Sequence, residues 1–298
     1  MIHESSTILE NTSEVNDSEN WTEIIRPKSR FFNLNLDELW RYRDLIILFV
    51  KRDIAAQYRQ TILGPLWYLV QPLLTTFMFF ILFNKIANIS TDTLPPILFY
   101  MSSITIWTYF SSCLTATSNT FVSNAVIFGK VYFPRMVTPL STVISNMFKF
   151  SIQFGLLIVL IIYYAVVENY IPSFGWHTLL LPVIIVLMGG MGLGLGIIIS
   201  SLTTKYRDLS ILVGFGVGLF MYITPVAYPL SYLNQSKYKA IIEWNPLTPL
   251  VEGFRFAIFG QGTFNGFFFL YSLGCTIFFL IIGILIFNKV ERSFMDTV

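Results

Sequence analysis

From Pro65 to Phe83 the chain carries no charge, and apolar runs of similar character return five more times before its end. A run of about twenty such residues, at about 1.5 Å per helical residue, is long enough to cross a hydrocarbon core. The pattern predicts six membrane-spanning helices, at about 65–83, within the charge-free stretch 93–129, and at about 139–167, 178–203, 209–228 and 267–287. Pro65 suits a helix N-terminus, and Pro72 predicts a kink inside the first span. The stretch 93–129 exceeds one span, so its Ser/Thr/Asn-rich part, 115–124, is expected to flank the helix.

Ahead of the spans the period changes. Leu39, Tyr42, Ile46, Phe49, Val50 and Ile54 recur at three- and four-residue spacing, with Arg41, Asp44, Lys51, Arg52 and Asp53 on other faces. That pattern predicts an amphipathic helix lying in the membrane interface. Residues 1–36, rich in Ser, Asn, Thr and Glu, are expected to form a flexible cytoplasmic tail. Between the last two spans, Trp244 to Phe259 is an apolar, proline-bounded piece too short to cross, and is read as re-entrant or interfacial. The expected fold is therefore an all-α integral membrane protein. Its parts are a tail (1–36), an interfacial helix (37–60) and a six-helix membrane domain (61–298).

Composition agrees: 54% of the 298 residues are hydrophobic, 12% are charged, and the mean hydropathy is +0.65. A soluble domain would be roughly a quarter charged. A net charge of +2 does not suggest nucleic acid as a partner. The positions of the cations matter more. With the N-terminus in the cytoplasm, fourteen Lys and Arg fall in inside segments and four outside, and Lys149 is left within a span. The bias predicts a multi-pass membrane protein with both termini cytoplasmic. Segment 1–20 has no apolar core of a cleaved signal, so the internal helices are expected to direct insertion.

Candidate chemistry is sparse. No Asp or Glu falls in a predicted span, and only His3 and His177 occur, one in the tail and one at the outer edge of the fourth span. Asp92, Glu168, Glu243 and Glu252 lie outside the spans, and each is read as a solvated loop residue. This argues against an intramembrane hydrolase or a proton-coupled carrier. Cys113 and Cys275 lie in apolar tracts and read as small hydrophobes, with no metal motif around them. No catalytic residue and no metal site is assigned.

The glycine series 189, 190, 192, 194 and 196 lies inside a span, so close helix packing through the pairs Gly190/Gly194 and Gly192/Gly196 is the better reading than a phosphate loop. Gly214 and Gly218 are expected to act likewise on the fifth span. No GxxxxGK[ST] loop occurs, so work derived from ATP has to come from a partner.

Lys149 has two readings, a structural lysine whose stem snorkels to the interface or a group lining a substrate path, and the structural one is the stronger. The aromatic residues Trp67, Tyr68, Tyr100, Trp107 and Tyr109 read first as membrane anchors and packing mass, and second as rings on which sugar faces stack along a conduit. Lys130 and Arg135 bracket Val131, Tyr132, Phe133 and Pro134, a composition suited to a docking anchor with a charged rim.

Several segments together resemble a known family. RDLIILFVKRDIAAQYRQTILGPLWYLVQPL, from Arg43 to Leu73, is similar to the interfacial helix and first span of polysaccharide and teichoic-acid export permeases, in the type-2 branch of ABC transporters. FGKVYFPR (128–135), KYRD (205–208), ITPVAYP (223–229) and WNPLTPLVEGFR (244–255) stand where that family has similar segments. The resemblance covers about residues 37–292, and the long acidic tail departs from the family's shorter N-termini.

What the resemblance implies is a homodimer with two copies of a separate ABC ATPase, which would hold ATP and magnesium, moving a lipid-linked polysaccharide of the O-antigen or capsule type. No cofactor is expected in this chain. The helix with Arg41, Arg43, Lys51, Arg52 and Arg59 would be a gate at the cytoplasmic face, and 130–135 a coupling loop on the ATPase. Tyr206, Arg207 and Asp208 would form an inner turn, and Pro225, Pro229, Asn245 and Pro246 part of an outer gate. The alternatives are export of teichoic acid or of a smaller amphiphile, a membrane glycosyl- or acyltransferase acting on lipid-linked sugars, and a non-transporting envelope scaffold.

Overall fold

A computed structural model describes residues 36–58, 62, 64–170, 172–173, 175–206 and 208–295. The predicted tail, except for its last residue, and Arg59 and Arg207 lie outside the described residues. The helices are α1 (Leu36–Arg41), α2 (Arg43–Tyr58), α3 (Trp67–Phe79), α4 (Pro96–Ser118), α5 (Thr120–Phe128), α6 (Val137–Val167), α7 (Leu180–Thr203), α8 (Leu209–Ile223), α9 (Lys239–Glu243), α10 (Thr248–Phe259) and α11 (Gly266–Met295). No strand occurs among the described residues, which agrees with the all-α expectation.

Among the described residues, five segments are long and apolar enough to cross a membrane: Gly64–Ile86, Pro96–Ser118, Val137–Val167, Trp176–Thr203 and Gly266–Val290. The predicted fifth span is shorter. α8 stops at Ile223, and Thr224 takes an extended backbone because Pro225 follows it. Its 15 residues reach about 22 Å, short of a full hydrocarbon core. Pro72 sits inside α3, which passes at Phe80 into a π-helical stretch to Ile86, a looser winding than the continuous α-helix expected there.

α7 is the centre of the bundle, packed mainly against α4 on one side and α11 on the other. Its glycines make both approaches feasible. A Cβ on Gly192 would lie 2.8 Å from the Cβ of Cys113 on α4, and one on Gly196 would lie 2.6 Å from that of Thr117. On the other face a Cβ on Gly194 would meet the Leu280 backbone nitrogen of α11 at 2.9 Å, and Gly283 of α11 would clash with the Gly194 carbonyl at 2.8 Å. Each predicted small-xxx-small pair thus faces its own neighbour. Gly214 and Gly218 differ from expectation: among the described residues no atom lies within 4 Å of where their Cβ atoms would be.

α4 runs through the core, and several of its hydroxyls are satisfied by the helix's own carbonyls. Ser102 and Ser103 both donate to the Phe99 carbonyl at 2.9 Å, and Thr105 donates to Met101 at 2.7 Å. Such back-bonding lets hydroxyls lie where water is excluded. α10 is buried at every position but Phe256, under α4 and α7, and ends on Gly260 in the left-handed region with φ 68°. This burial in protein is the setting that a re-entrant piece needs. His177 is buried against it, 3.3 Å from the Ala257 carbonyl.

Candidate functional site

Two assemblies, at opposite ends of α4, gather the residues singled out from the sequence. At the loop end, α5 closes at Phe128 and the chain turns through Gly129 to Arg135 before α6. The amides of Lys130 and Val131 both donate to the Ile127 carbonyl at 3.1 Å, holding the turn against the helix end. The loop then divides. Lys130, Val131 and Tyr132 are exposed, Tyr132 by 68%, while Phe133 and Arg135 are buried. Pro134 is half-buried.

Phe133 points away from the exposed face and into a small apolar cluster with Ile46, Phe49, Phe121, Phe128, Val137, Ile197 and Phe287. Its ring centroid is 5.6 Å from Phe49 of α2, edge to face, and 5.7 Å from Phe128. Phe128 is 6.0 Å from Phe121, and Phe121 stacks on Phe287 of α11 at 4.6 Å. Cations cover both flanks: the Arg52 guanidinium lies 4.6 Å above Phe49, and that of Arg135 lies 5.3 Å from Phe128. Ring contacts of this kind are each worth about 0.5–1.5 kcal/mol beyond burial. The segment read as a docking anchor is thus divided in this chain: Tyr132 faces out, while Phe133 roots the loop in α2.

α2 buries Ile46 and Phe49, while Arg41, Arg43, Lys51 and Arg52 are exposed as expected of an interfacial helix. Its apolar residues also extend to a second face, because Ile47 and Leu48 are exposed as well. Arg52 pairs with Asp53 at 2.8 Å and Arg43 with Asp44 at 3.9 Å, exposed contacts that add little stability. The turn before α8 belongs to the same end, since Thr203 donates to the Ser118 carbonyl at 3.0 Å and the Phe121 amide donates to Ser200 at 3.4 Å. Tyr206 and Asp208 are exposed there, with the Lys205 ammonium 5.3 Å from the Tyr206 ring.

At the cap end, directional polar contacts hold the predicted outer-gate residues. Asn245 donates to Thr224 Oγ1 at 3.0 Å and accepts from the Leu247 amide at 3.0 Å. These bonds tie the segment holding buried Pro225 and Pro229 to the half-buried Pro246. Ser231 donates to both Asp92 carboxylate oxygens at 2.8 and 2.9 Å, and Thr93 donates to Gln261 at 2.5 Å.

Glu252 does not sit in a solvated loop: it is 3% exposed and forms an ion pair with Arg255, which is 1% exposed. Glu252 Oε1 also accepts from the Leu230 amide at 3.0 Å. Arg255 donates to Ser103 Oγ at 3.0 Å, and its guanidinium lies 4.2 Å from the Phe99 ring centroid. Burial pulls the Arg255 pKa downwards, and the Glu252 carboxylate opposes that shift. The pair was missed because averaging hydropathy hides two charges in an apolar segment. Their i, i+3 spacing on a proline-started helix was the available signal.

The proposed conduit residues separate. Tyr100, Trp107 and Tyr109 are in the core of this chain, the first fully buried and the other two 5% and 4% exposed, which agrees with the first reading of them as packing mass. Trp107 packs on Phe110 and Phe220, and Tyr109 on Phe150. Trp67 is 51% exposed, Tyr68 is half-buried, and the Lys149 ammonium lies 5.6 Å from the Tyr68 ring. Among the described residues no group of His, Cys, Asp and Glu is placed to hold a metal ion.

A family model described as ABC-2 type transporter matches residues 44–259. That region runs from the interfacial helix through the buried α10. Two O-antigen export system permease proteins (RfbA) from Klebsiella pneumoniae are 29% and 30% identical over 255 and 254 residues, each alignment covering 85% of this chain and 94% of the relative. A protein of the same name from Myxococcus xanthus is 30% identical over 223 residues, 74% of this chain and 82% of that one. With nearly all of α2, the 129–135 loop and the buried α10 inside the matched region, the chain belongs to the ABC-2 type transporter family and is a membrane-embedded transport subunit, with ATP hydrolysis in a separate partner.

Proposed function

We propose that this chain is the membrane-spanning subunit of an exporter that moves a lipid-linked polysaccharide of the O-antigen type across the bacterial inner membrane. It works as a homodimer with two copies of the ABC ATPase, which bind ATP and magnesium, and both termini are cytoplasmic. The similarity to three proteins named as O-antigen export permeases, spread over most of each chain, supports the substrate class. The excess of Lys and Arg on the loop side supports the orientation. Pairing with a second copy is supported by α8, which has no buried residue and shows Ile211, Phe215 and Leu219 to its surroundings.

One observation carries the mechanism. The loop offers Lys130, Val131 and Tyr132 outwards and sends Phe133 into the interfacial helix. A push on the exposed face therefore reaches α2 through a packed ring, without passing through solvent. Closure of the ATPase shifts the population between two arrangements of loop and gate helix, and with it the side from which the path is accessible. Deletion of the gene, with intracellular and surface glycan assayed separately, tests the reading. Polymer trapped inside is the expected result, and loss of all polymer would instead point to synthesis.

A further inference from the structure

Between α9, α10 and the start of α11 lies a cavity of about 400 Å³. Its size falls within the range of small-molecule sites, roughly 300–1,000 Å³. The lining mixes Asn234, Lys239, Glu243, Glu252, Thr263 and Asn265 with the rings of Phe264 and Phe268. Packing alone does not explain so many polar groups around one opening.

Charge narrows the occupant. The Lys239 ammonium is 3.4 Å from Glu243, and Glu252 is neutralised from behind by Arg255. The two cations are therefore already matched by two carboxylates. A phosphate or sulfate would have to displace Glu243 from Lys239 and then face Glu252. A neutral polyol meets neither obstacle. Carboxylate oxygens accept from its hydroxyls, amides donate to them, and rings cover its C–H faces. Glu252 Oε2 already takes such a contact, accepting from the Thr263 hydroxyl at 3.3 Å. Asn265 Oδ1 is occupied by the Phe267 amide at 3.0 Å, which aims the remaining amide donor and keeps it from turning.

We infer that this cavity is a saccharide subsite at the outer mouth, which takes a neutral sugar unit of the emerging glycan. The inference rests on the exporter reading for its side of the membrane and its ligand. Because Glu252 also holds the Leu230 amide, an occupied cavity sits against the segment that carries Pro225 and Pro229. Sugar in the mouth would thus bear on the outer gate directly.

The test uses the full chain with its ATPase in lipid nanodiscs. Saturation-transfer NMR is recorded with methyl glucoside, galactoside, mannoside and rhamnoside, with methyl glucuronide and phosphorylated methyl glucoside as anionic controls. The neutral glycosides should receive saturation and the anionic ones much less. Asn234→Leu, at an exposed rim position, should weaken the signal about fivefold, the weight of one or two hydrogen bonds. Thr263→Tyr, which fills the opening from another exposed position, should remove it. Unchanged ATPase association in both variants shows that they are folded. Equal signals from wild-type and Thr263→Tyr protein, or stronger signals from the anionic probes, would overturn the subsite. Neither result touches the exporter reading, which fails separately if a deletion strain traps no polymer.

Discussion

At the cap end Glu252, Arg255, Asn245 and Asp92 hold their neighbours through hydrogen bonds of defined direction, whereas at the loop end Phe49, Phe133, Phe128, Phe121 and Phe287 touch ring to ring. The two devices respond differently to displacement. A hydrogen bond weakens steeply once its angle departs from linearity, so the cap has one geometry or is broken. Ring contacts keep much of their attraction over a range of offset and tilted arrangements. Under the proposed mechanism the loop end can therefore shift as a packed unit while the cap keeps its geometry.

Four substitutions break or sharpen that contrast. Glu252→Ala should act most strongly, because it leaves Arg255 buried without the carboxylate it is paired to; the cost is about 3–5 kcal/mol. Thermal unfolding in detergent should show it as a large fall in midpoint, and Arg255→Met on the same background should restore part of the loss. Phe133→Leu keeps the site filled and should cost about 1.5 kcal/mol or less, with a small shift in the same assay. Arg52→Ala removes a cation over Phe49 and should cost about 0.5–1 kcal/mol. Tyr132→Ala, at an exposed position, should leave stability within about 0.5 kcal/mol yet reduce recovery of the ATPase when the permease is purified. A Tyr132→Ala protein that retains its ATPase in full would remove the exposed half of the loop from the docking surface.

The glycine-rich helices show how much was legible beforehand and how much was not. In α7 the spacing alone named the right pairs, because a small residue every fourth position marks a stripe along one face, and Gly192 and Gly194 lie on the stripes that meet α4 and α11. The same spacing in α8 carried the same expectation, yet among the described residues nothing approaches Gly214 or Gly218. Spacing reports that a face is smooth, not which molecule covers it. The span positions were readable from charge alone, and the early end of α8 was readable from Pro225.

The loop was not divisible in the same way. Val131, Tyr132 and Phe133 are consecutive and similar in character, and an irregular segment has no period from which to assign inside and outside. Only packing distinguishes the exposed Tyr132 from the buried Phe133. The burial of Tyr100, Trp107 and Tyr109 has the same origin: Ser and Thr are interspersed with apolar residues around the whole of α4, so its sequence marks no single inward face and does not say which rings line a path and which fill the core.

The central claim is that work received at the exposed loop reaches the interfacial helix through Phe133. The most direct measurement follows ATP hydrolysis and glycan translocation together in vesicles containing the Phe133→Leu complex and the wild type. The account predicts that the variant keeps its ATPase and continues to hydrolyse ATP while glycan moved per ATP falls severalfold. Wild-type glycan movement per ATP in that variant would contradict it.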